Sequence, residues 1–261
     1  MSESARSTDH VQSLARGLQV LCSFSTESSR QTLSEVARAT GLTRATARRF
    51  LLTLKDLGYA DGDGSRFWLT PKCLELGYSY LSTQPLTAVA QPHLEQLRTT
   101  TGESASMAVL DGADIVYVSR VAVSRIMTVG ISIGTRFPAH LTSMGRVLLA
   151  GLREEELDDL IAEMNFTRLT RYSIGDAAEL KRELGDVRKR DFAVVSSELE
   201  IGLTSLAVPV HDPTGAVVAA INTSTQTAQY TLPQLSSDLL PHLREAAGRI
   251  EADLRVATSS T

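Results

Sequence analysis

Two sets of residues in this 261-residue chain could carry chemistry, and they are of different kinds. One is cationic: Arg44, Arg48, Arg49 and Lys55 lie close together with no acid before Asp56, and Thr43 and Thr46 stand among them. Such groups on one element can take phosphates by charge and base edges by hydrogen bonds. The same charges also suit a solvated helix face. The other set is His140 with Ser143-Met144-Gly145, a base three residues from a hydroxyl nucleophile. It is half of a nucleophile elbow: Leu141 stands where the elbow has its first glycine, and no acid is placed to orient His140. The Gly62/Gly64 and Gly130/Gly134 pairs lack the lysine or third glycine of a phosphate loop. The five histidines are scattered, and neither CxxC nor HExxH spacing occurs. These readings predict no catalytic residue, no metal and no cofactor.

The cations need an element to present them. Val11 to Phe24 has helical apolar spacing, and the polar stretch Ser25 to Gln31 breaks it. Thr32-Leu33-Ser34-Glu35 reads as a capping box opening a short helix that stops at Gly41. Thr43 caps the next helix, which runs to about Leu57 and carries Ala47, Phe50, Leu51 and Leu54 as one stripe. Two helices joined by a short glycine-containing turn make a helix-turn-helix. Its outward face offers Arg44, Thr46, Arg48 and Arg49 to a major groove. Tyr59 to Leu69 then reads as a hairpin around an Asp-Gly turn, the wing of a winged helix. Asp61 and Asp63 would repel phosphates at its tip, which leaves Arg66 as the supporting contact to double-stranded DNA.

Charge distribution agrees with a local contact. Residues 1–70 carry nine Lys/Arg against seven Asp/Glu, or +2, while 71–261 carry seventeen against twenty-three, or −6, for a total of −4. A protein coated in basic surface is excluded. The longest apolar run, Ala216 to Ile221, is far below the roughly 20 residues of a membrane helix. Met1 to Gln12 lacks a secretory h-region, so the expected location is cytoplasmic, away from any membrane.

Thr70-Pro71 opens a helix, a second runs from Leu86 to about Thr100, and Gly102 ends it. Helices at this place set the spacing of paired DNA readers or form an ordinary intradomain pair. Beyond Glu103 the pattern is mixed. Hairpins are expected at Met107–Val118 and Leu203–Thr223, and a strand at Met127–Ile133. Helices are expected at Thr142–Gly151, Glu154–Met164, Ala177–Arg190 and Pro233–Val256. The fold class is α+β, divided into a winged helix-turn-helix domain (9–70), a helical linker (71–102) and a ligand-binding domain (103–257). Ser143, Ser205, Thr223 and Ser224 are hydroxylic residues at predicted element ends, where a pocket forms.

Four stretches carry a resemblance to a known family: Gly41-Leu42-Thr43 through Thr53-Leu54, Ile133-Gly134-Thr135-Arg136-Phe137-Pro138-Ala139-His140, Thr142 through Ala150, and Glu198 through Leu203 to Pro209-Val210. The chain resembles the isocitrate lyase regulator (IclR) family of bacterial transcription factors from about Val11 to Leu254. The resemblance implies a GAF-like effector-binding domain and a homodimer or dimer of dimers. Leu74 through Leu81 and Arg125-Ile126-Met127-Thr128-Val129 resemble the Pca and Pob subgroup of aromatic acid catabolism. The implied effector is protocatechuate, 4-hydroxybenzoate or β-ketoadipate. Carried over by position, the family pocket falls on Ser143, Met144, Ser205, Asn222 and Ser224. The family's frequent acid after Ala193-Val194 is Val195 here, which makes the pocket friendlier to an anion. A carboxylate needs a cation, and Arg136, with His140 as a neutral donor, is the expected anchor; Arg125 and Arg146 are also near the matched loops. Three alternatives stay open: a family member serving an unrelated carboxylic acid pathway, a Ser143-dependent enzyme with an appended DNA reader, and a C-terminal domain that binds a protein instead of a metabolite.

Overall fold

A computed structural model describes residues 10–25, 27–83, 85–123 and 130–259. The chain divides into two compact units, residues 1–83 and 84–261.

The first unit is built as a winged helix. Helix α1 (Gln12–Cys22) stops two residues before the expected Phe24. Strand β1 (Gln31–Thr32) leads into α2 (Leu33–Thr40), α3 (Arg44–Asp56), β2 (Ala60–Gly62), β3 (Arg66–Leu69) and, after a 3₁₀ turn at Pro71–Cys73, α4 (Leu74–Ser82). The capping box forms: Glu35 N–H donates to Thr32 Oγ1, and Thr32 N–H donates to Glu35 Oε2 at 2.7 Å. Gly41 ends α2 at φ +66°, the left-handed conformation that glycine adopts without penalty. Val20, Val36, Ala37, Ala47, Leu51 and Leu54 close the core between the three helices. The hairpin gains a third strand that the sequence reading missed, giving the order β1-β3-β2. Gln31, placed in a polar break, is a buried strand residue whose amide donates to Ser23 O. A two-residue strand is too short to show any alternation.

The second unit is a six-stranded antiparallel sheet between helices. It runs α5 (Pro85–Thr101), β4 (Ser104–Asp111), β5 (Asp114–Val121), β6 (Arg136–Pro138), α6 (Ser143–Ala150), α7 (Glu154–Glu163), α8 (Ala177–Arg190), β7 (Ala193–Ser196), β8 (Leu203–His211), β9 (Val217–Gln226), α9 (Leu232–Gln234) and α10 (Leu240–Ser259). The strand order is β6-β5-β4-β9-β8-β7. Helix α6, backed by α8, packs on one face, while α5 and α10 pack on the other. Alanines 108, 193, 207 and 220 give the α6 side a shallow surface, and Met144, Leu148, Leu184 and Val187 fill it. The two helices expected in a linker fall in different units, α4 in the first and α5 in the second.

Three expectations are corrected here. Of the strand expected at Met127–Ile133, residues 127–129 lie outside the described residues, and 130–133 form no strand; the edge strand is β6, pairing Phe137 with Ile115. Gly134 at φ +87° turns the chain into it. Strand β7 was not anticipated, its four residues being too few for a pattern. The last helix is not uniform: a π stretch, Leu235–Leu239, precedes α10. Pro241 has no N–H for the regular bond to residue 237, and the wide turn lies directly before it.

Strand β5 also carries a bulge. Ser106 pairs with Arg120 and Met107 with Ser119, but Ala108 pairs with Tyr117, so Val118 is an extra residue. Side chains alternate faces along a strand, and one extra residue reverses the parity beyond it. Tyr117 and Arg120 therefore share the α6 side, and Ser119 turns the other way to donate to Gln91 Oε1 of α5 at 2.7 Å.

Candidate nucleic-acid interface and candidate ligand cavity

Helix α3 presents its cations as its apolar stripe dictates. With Ala47 and Leu51 fully buried, Arg44, Arg48 and Arg49 are exposed, and none pairs with a carboxylate among the described residues. Thr43 caps the helix through Thr46 N–H at 3.2 Å, and the two hydroxyls bond each other at 2.8 Å. The helix dipole adds partial positive charge at this end. Lys55 is different: it reaches the wing, bonding Asp61 Oδ1 and Gly62 O, both at 2.8 Å.

The wing's acids are structural. Asp63 Oδ1 accepts from Arg66 N–H, Ser65 N–H and the Ser65 hydroxyl, and these bonds hold its pKa down at about 2. Arg66 is exposed on β3 and donates to Arg30 O at 3.2 Å. Arg30 itself, which nothing in the sequence pattern singled out, lies over the Trp68 ring at 4.4 Å. Only the β1–β3 pairing brings it onto the wing.

In the second unit a small cavity, about 20 Å³ with these side chains as they stand, opens on the α6 side of the sheet. Ser205, Asn222 and Ser224, three of the positions carried over from the family, line it together. Register explains the meeting: Ser205 pairs with Ser224 across β8 and β9, and Val195 pairs with Ser205 from β7. Tyr117, Ile131, Leu141, Val195, Leu199 and Leu203 make most of the remaining wall apolar, with Thr142 and Glu198 as its polar members. Asn222 donates to Ser224 Oγ at 3.2 Å, and its own Oδ1 is buried without a partner.

The other expected residues are placed less directly. Ser143 and Met144 open α6 next to the lining residue Thr142, both fully buried, with Met144 in the core. His140 is buried against Phe166, ring centroids 5.1 Å apart, and burial, then the Arg146 charge, lowers its pKa below the usual value. Neither His140 ring nitrogen nor Ser143 Oγ has a hydrogen-bond partner, so no base engages the serine. Arg136 does not line this cavity; it bonds Asp111 at 2.5 Å and Asp114 at 3.3 Å on an exposed edge. The β5–β6 pairing explains this, setting Arg136 opposite Val116 beside the Asp111–Asp114 turn. Arg125 lies outside the described residues.

An acid does reach the cavity, three residues after Val195. Glu198 lines it, but Arg146 Nη2 holds its Oε2 at 2.6 Å and Ile174 N–H donates to the same oxygen at 3.0 Å. Arg146 also donates from Nε to His140 O. The two charges cancel inside the protein. A second cation went unnoticed in the sequence: Arg120, half-buried on β5, whose Nη1 donates to Ser106 Oγ at 3.0 Å and whose buried Nε has no acceptor. Strict alternation from Ile115 places it on the opposite face; the bulge is what turns it. Glu200 Oε2 is also buried without a partner. Among the described residues no group of histidine, cysteine or acidic side chains could hold a metal ion, and no helix is long and apolar enough to cross a membrane.

Comparison with known proteins places this architecture. Residues 13–64 match the IclR helix-turn-helix domain, and residues 78–252 match the family described as bacterial transcriptional regulator IclR C-terminal. The Pca regulon regulatory protein of Pseudomonas putida is 40% identical over 240 residues, covering 92% of this chain and 82% of that protein. The p-hydroxybenzoate hydroxylase transcriptional activator of Acinetobacter baylyi is 38% identical over 254 residues, covering 95% and 94%. The crystal structure of an IclR homolog from Microbacterium hydrocarbonoxydans, complexed with 4-hydroxybenzoate, superposes with a TM-score of 0.79 at 26% identity, covering 94% of this chain and 99% of that one. With both of its units matched and relatives aligned over nearly its whole length, the chain belongs to the IclR family of bacterial transcriptional regulators.

Proposed function

We propose that this regulator acts in the cytoplasm as a homodimer or dimer of dimers on an operator of aromatic acid catabolism genes, and that a small aromatic acid controls it. In this reading residues 9–70 read DNA, 71–102 link, and 103–257 bind the effector. One observation carries it: three arginines without acidic partners open α3, while the same chain holds a cavity with the buried, unpartnered Asn222 Oδ1. Thr43, Arg44, Thr46, Arg48 and Arg49 contact the major groove, with Arg66 in support. Exposed apolar residues on α1 (Leu14, Leu18) and α4 (Leu74, Leu76, Tyr78) support self-association, because isolated monomers rarely leave such helix faces in water. The relatives named for Pca and p-hydroxybenzoate genes support protocatechuate, 4-hydroxybenzoate or β-ketoadipate as effector. The second unit is read as a binding module and not an enzyme, since Ser143 has no base.

Fluorescence anisotropy on the duplex upstream of the protein's own gene, at fixed salt, tests this. One of the three acids is expected to shift apparent affinity severalfold, in line with coupling of about 1–3 kcal/mol. Arg49→Ala is expected to weaken DNA binding and leave effector affinity, measured by calorimetry, unchanged. Absence of specific DNA binding, or an equal loss of effector affinity in Arg49→Ala, overturns the assignment. Ester turnover that disappears in Ser143→Ala would favour the enzyme.

A further inference from the structure

We infer that Arg120 is the charge-selecting residue of this cavity and fits it to a small acid bearing a single carboxylate. The inference rests on the reading that the cavity takes an organic acid, and adds which residue pairs with it and how many charges the site accepts.

Arg120, Ser106 and Asn222 form one register row across β5, β4 and β9. Two strand spacings, about 10 Å, separate the outer members, and Arg120 already spans the first to reach Ser106. All three side chains lie on the face that the Val118 bulge gives to Arg120. With Nη1 committed to Ser106, the edge formed by Nε and Nη2 makes no hydrogen bond among the described residues. That edge is the one a carboxylate takes with two parallel bonds. At the far end of the row stands Asn222, in the cavity wall; Arg120 and Ser106 flank that wall on the same sheet face, next to the lining residue Tyr117 on β5.

The charge balance sets the ligand class. Arg146 and Glu198 neutralise each other at 2.6 Å, and Arg136 is spent on Asp111 and Asp114. No carboxylate pairs with Arg120 among the described residues. Partial burial without a counter-charge destabilises the guanidinium, a cost that one bound carboxylate offsets. A second carboxylate would enter a largely apolar wall with no further free cation among the described residues. A monoanion such as 4-hydroxybenzoate or protocatechuate therefore suits the site, and a dianion such as β-ketoadipate does not.

Calorimetry on the full chain tests this with 4-hydroxybenzoate, its neutral amide 4-hydroxybenzamide, and β-ketoadipate. The acid is expected to bind the native protein at least about tenfold more tightly than the amide, with β-ketoadipate weaker than 4-hydroxybenzoate. Arg120→Met is expected to abolish the preference for acid over amide, and Asn222→Asp, which sets a carboxylate in the same row, to reduce acid affinity without changing side-chain size. If Arg120→Met is folded and keeps the native affinity for the acid, the inference falls while the effector reading stands. Equal binding of acid and amide, or tighter β-ketoadipate, overturns it on the native protein, whether or not the variants fold. If the native protein binds none of the three, the effector reading falls and takes the inference with it.

Discussion

The ion pair behind the cavity wall lends itself to a quantitative test. The side chains of Arg146 and Glu198 are 3% and 10% exposed, so neither charge has much water to fall back on. Replacing Glu198 by leucine removes the partner of Arg146 and the acceptor of Ile174 N–H together. One-sided loss of a buried ion pair costs about 3–5 kcal/mol, and the stranded amide places Glu198→Leu toward the upper part of that range. Arg146→Leu leaves Glu198 charged but still bonded to Ile174, so a slightly smaller cost of about 3 kcal/mol is expected. The double variant should be less damaged than the sum of the two, because no uncompensated charge remains; a coupling of about 2 kcal/mol or more is expected. Urea unfolding followed by far-UV circular dichroism measures it. The single tryptophan, Trp68, lies in the first unit and reports that unit separately by fluorescence. A cost below about 1 kcal/mol for Glu198→Leu, or strict additivity in the double variant, would refute the reading of Arg146 and Glu198 as a buried, mutually compensating pair.

Other outcomes are expected from single sites. A Cβ on Gly145 would stand 2.0 Å from Ala139 O, so Gly145→Ala should destabilise the second unit by about 3 kcal/mol or more, whereas Gly185→Ala, with nothing within 4 Å in α8, should stabilise it by about 0.4–1 kcal/mol; urea midpoints compare the two. His140 titrates below its usual 6.5 in the folded chain, so the unfolded state takes up the proton first and stability should fall as pH drops below about 6.5, a slope that His140→Gln should flatten in unfolding measured from about pH 7.5 to 5.5. Asp63 keeps its charge down to about pH 2, so the stability its bonds contribute should decline as pH falls from about 3.8 to about 2, and the bonds themselves should break as pH passes about 2. The Ser65 and Arg66 amide resonances should report that titration, and Asp63→Ala should speed their hydrogen exchange with little change in global stability.

Sequence pattern served best where structure is local. The capping box at Thr32 and Glu35, Gly41 beyond α2 and Thr43 before α3 are fixed by neighbours within four residues, and all stand where their residue types placed them. Of the cavity triad, Ser205 and Ser224 stood out as hydroxylic residues at element ends, together with Thr223, which does not line the cavity, while Asn222 was reachable only through the family resemblance. Features that depend on pairing between distant segments were illegible. Strand β1, edge strand β6 and the wing position of Arg30 all exist because a remote strand accepts them. Arg146 stood in view, but its partner Glu198 is 52 residues away, and nothing in spacing joins them. Arg120 was hidden for a further reason: alternation is the rule that locates side chains on a sheet, and one extra residue breaks it.

That extra residue has a consequence for how this protein could change over generations. Substituting position 120 alters which group stands on the α6 side of the sheet, but losing or gaining one residue near Val118 alters which position stands there, without touching the arginine. A relative that kept the arginine and lacked the bulge would turn it toward the α5 side and present its neighbour on the α6 side instead. Divergence in ligand charge within such a lineage should then follow small length differences in β5, and two chains identical at this column could still differ in the anion they accept.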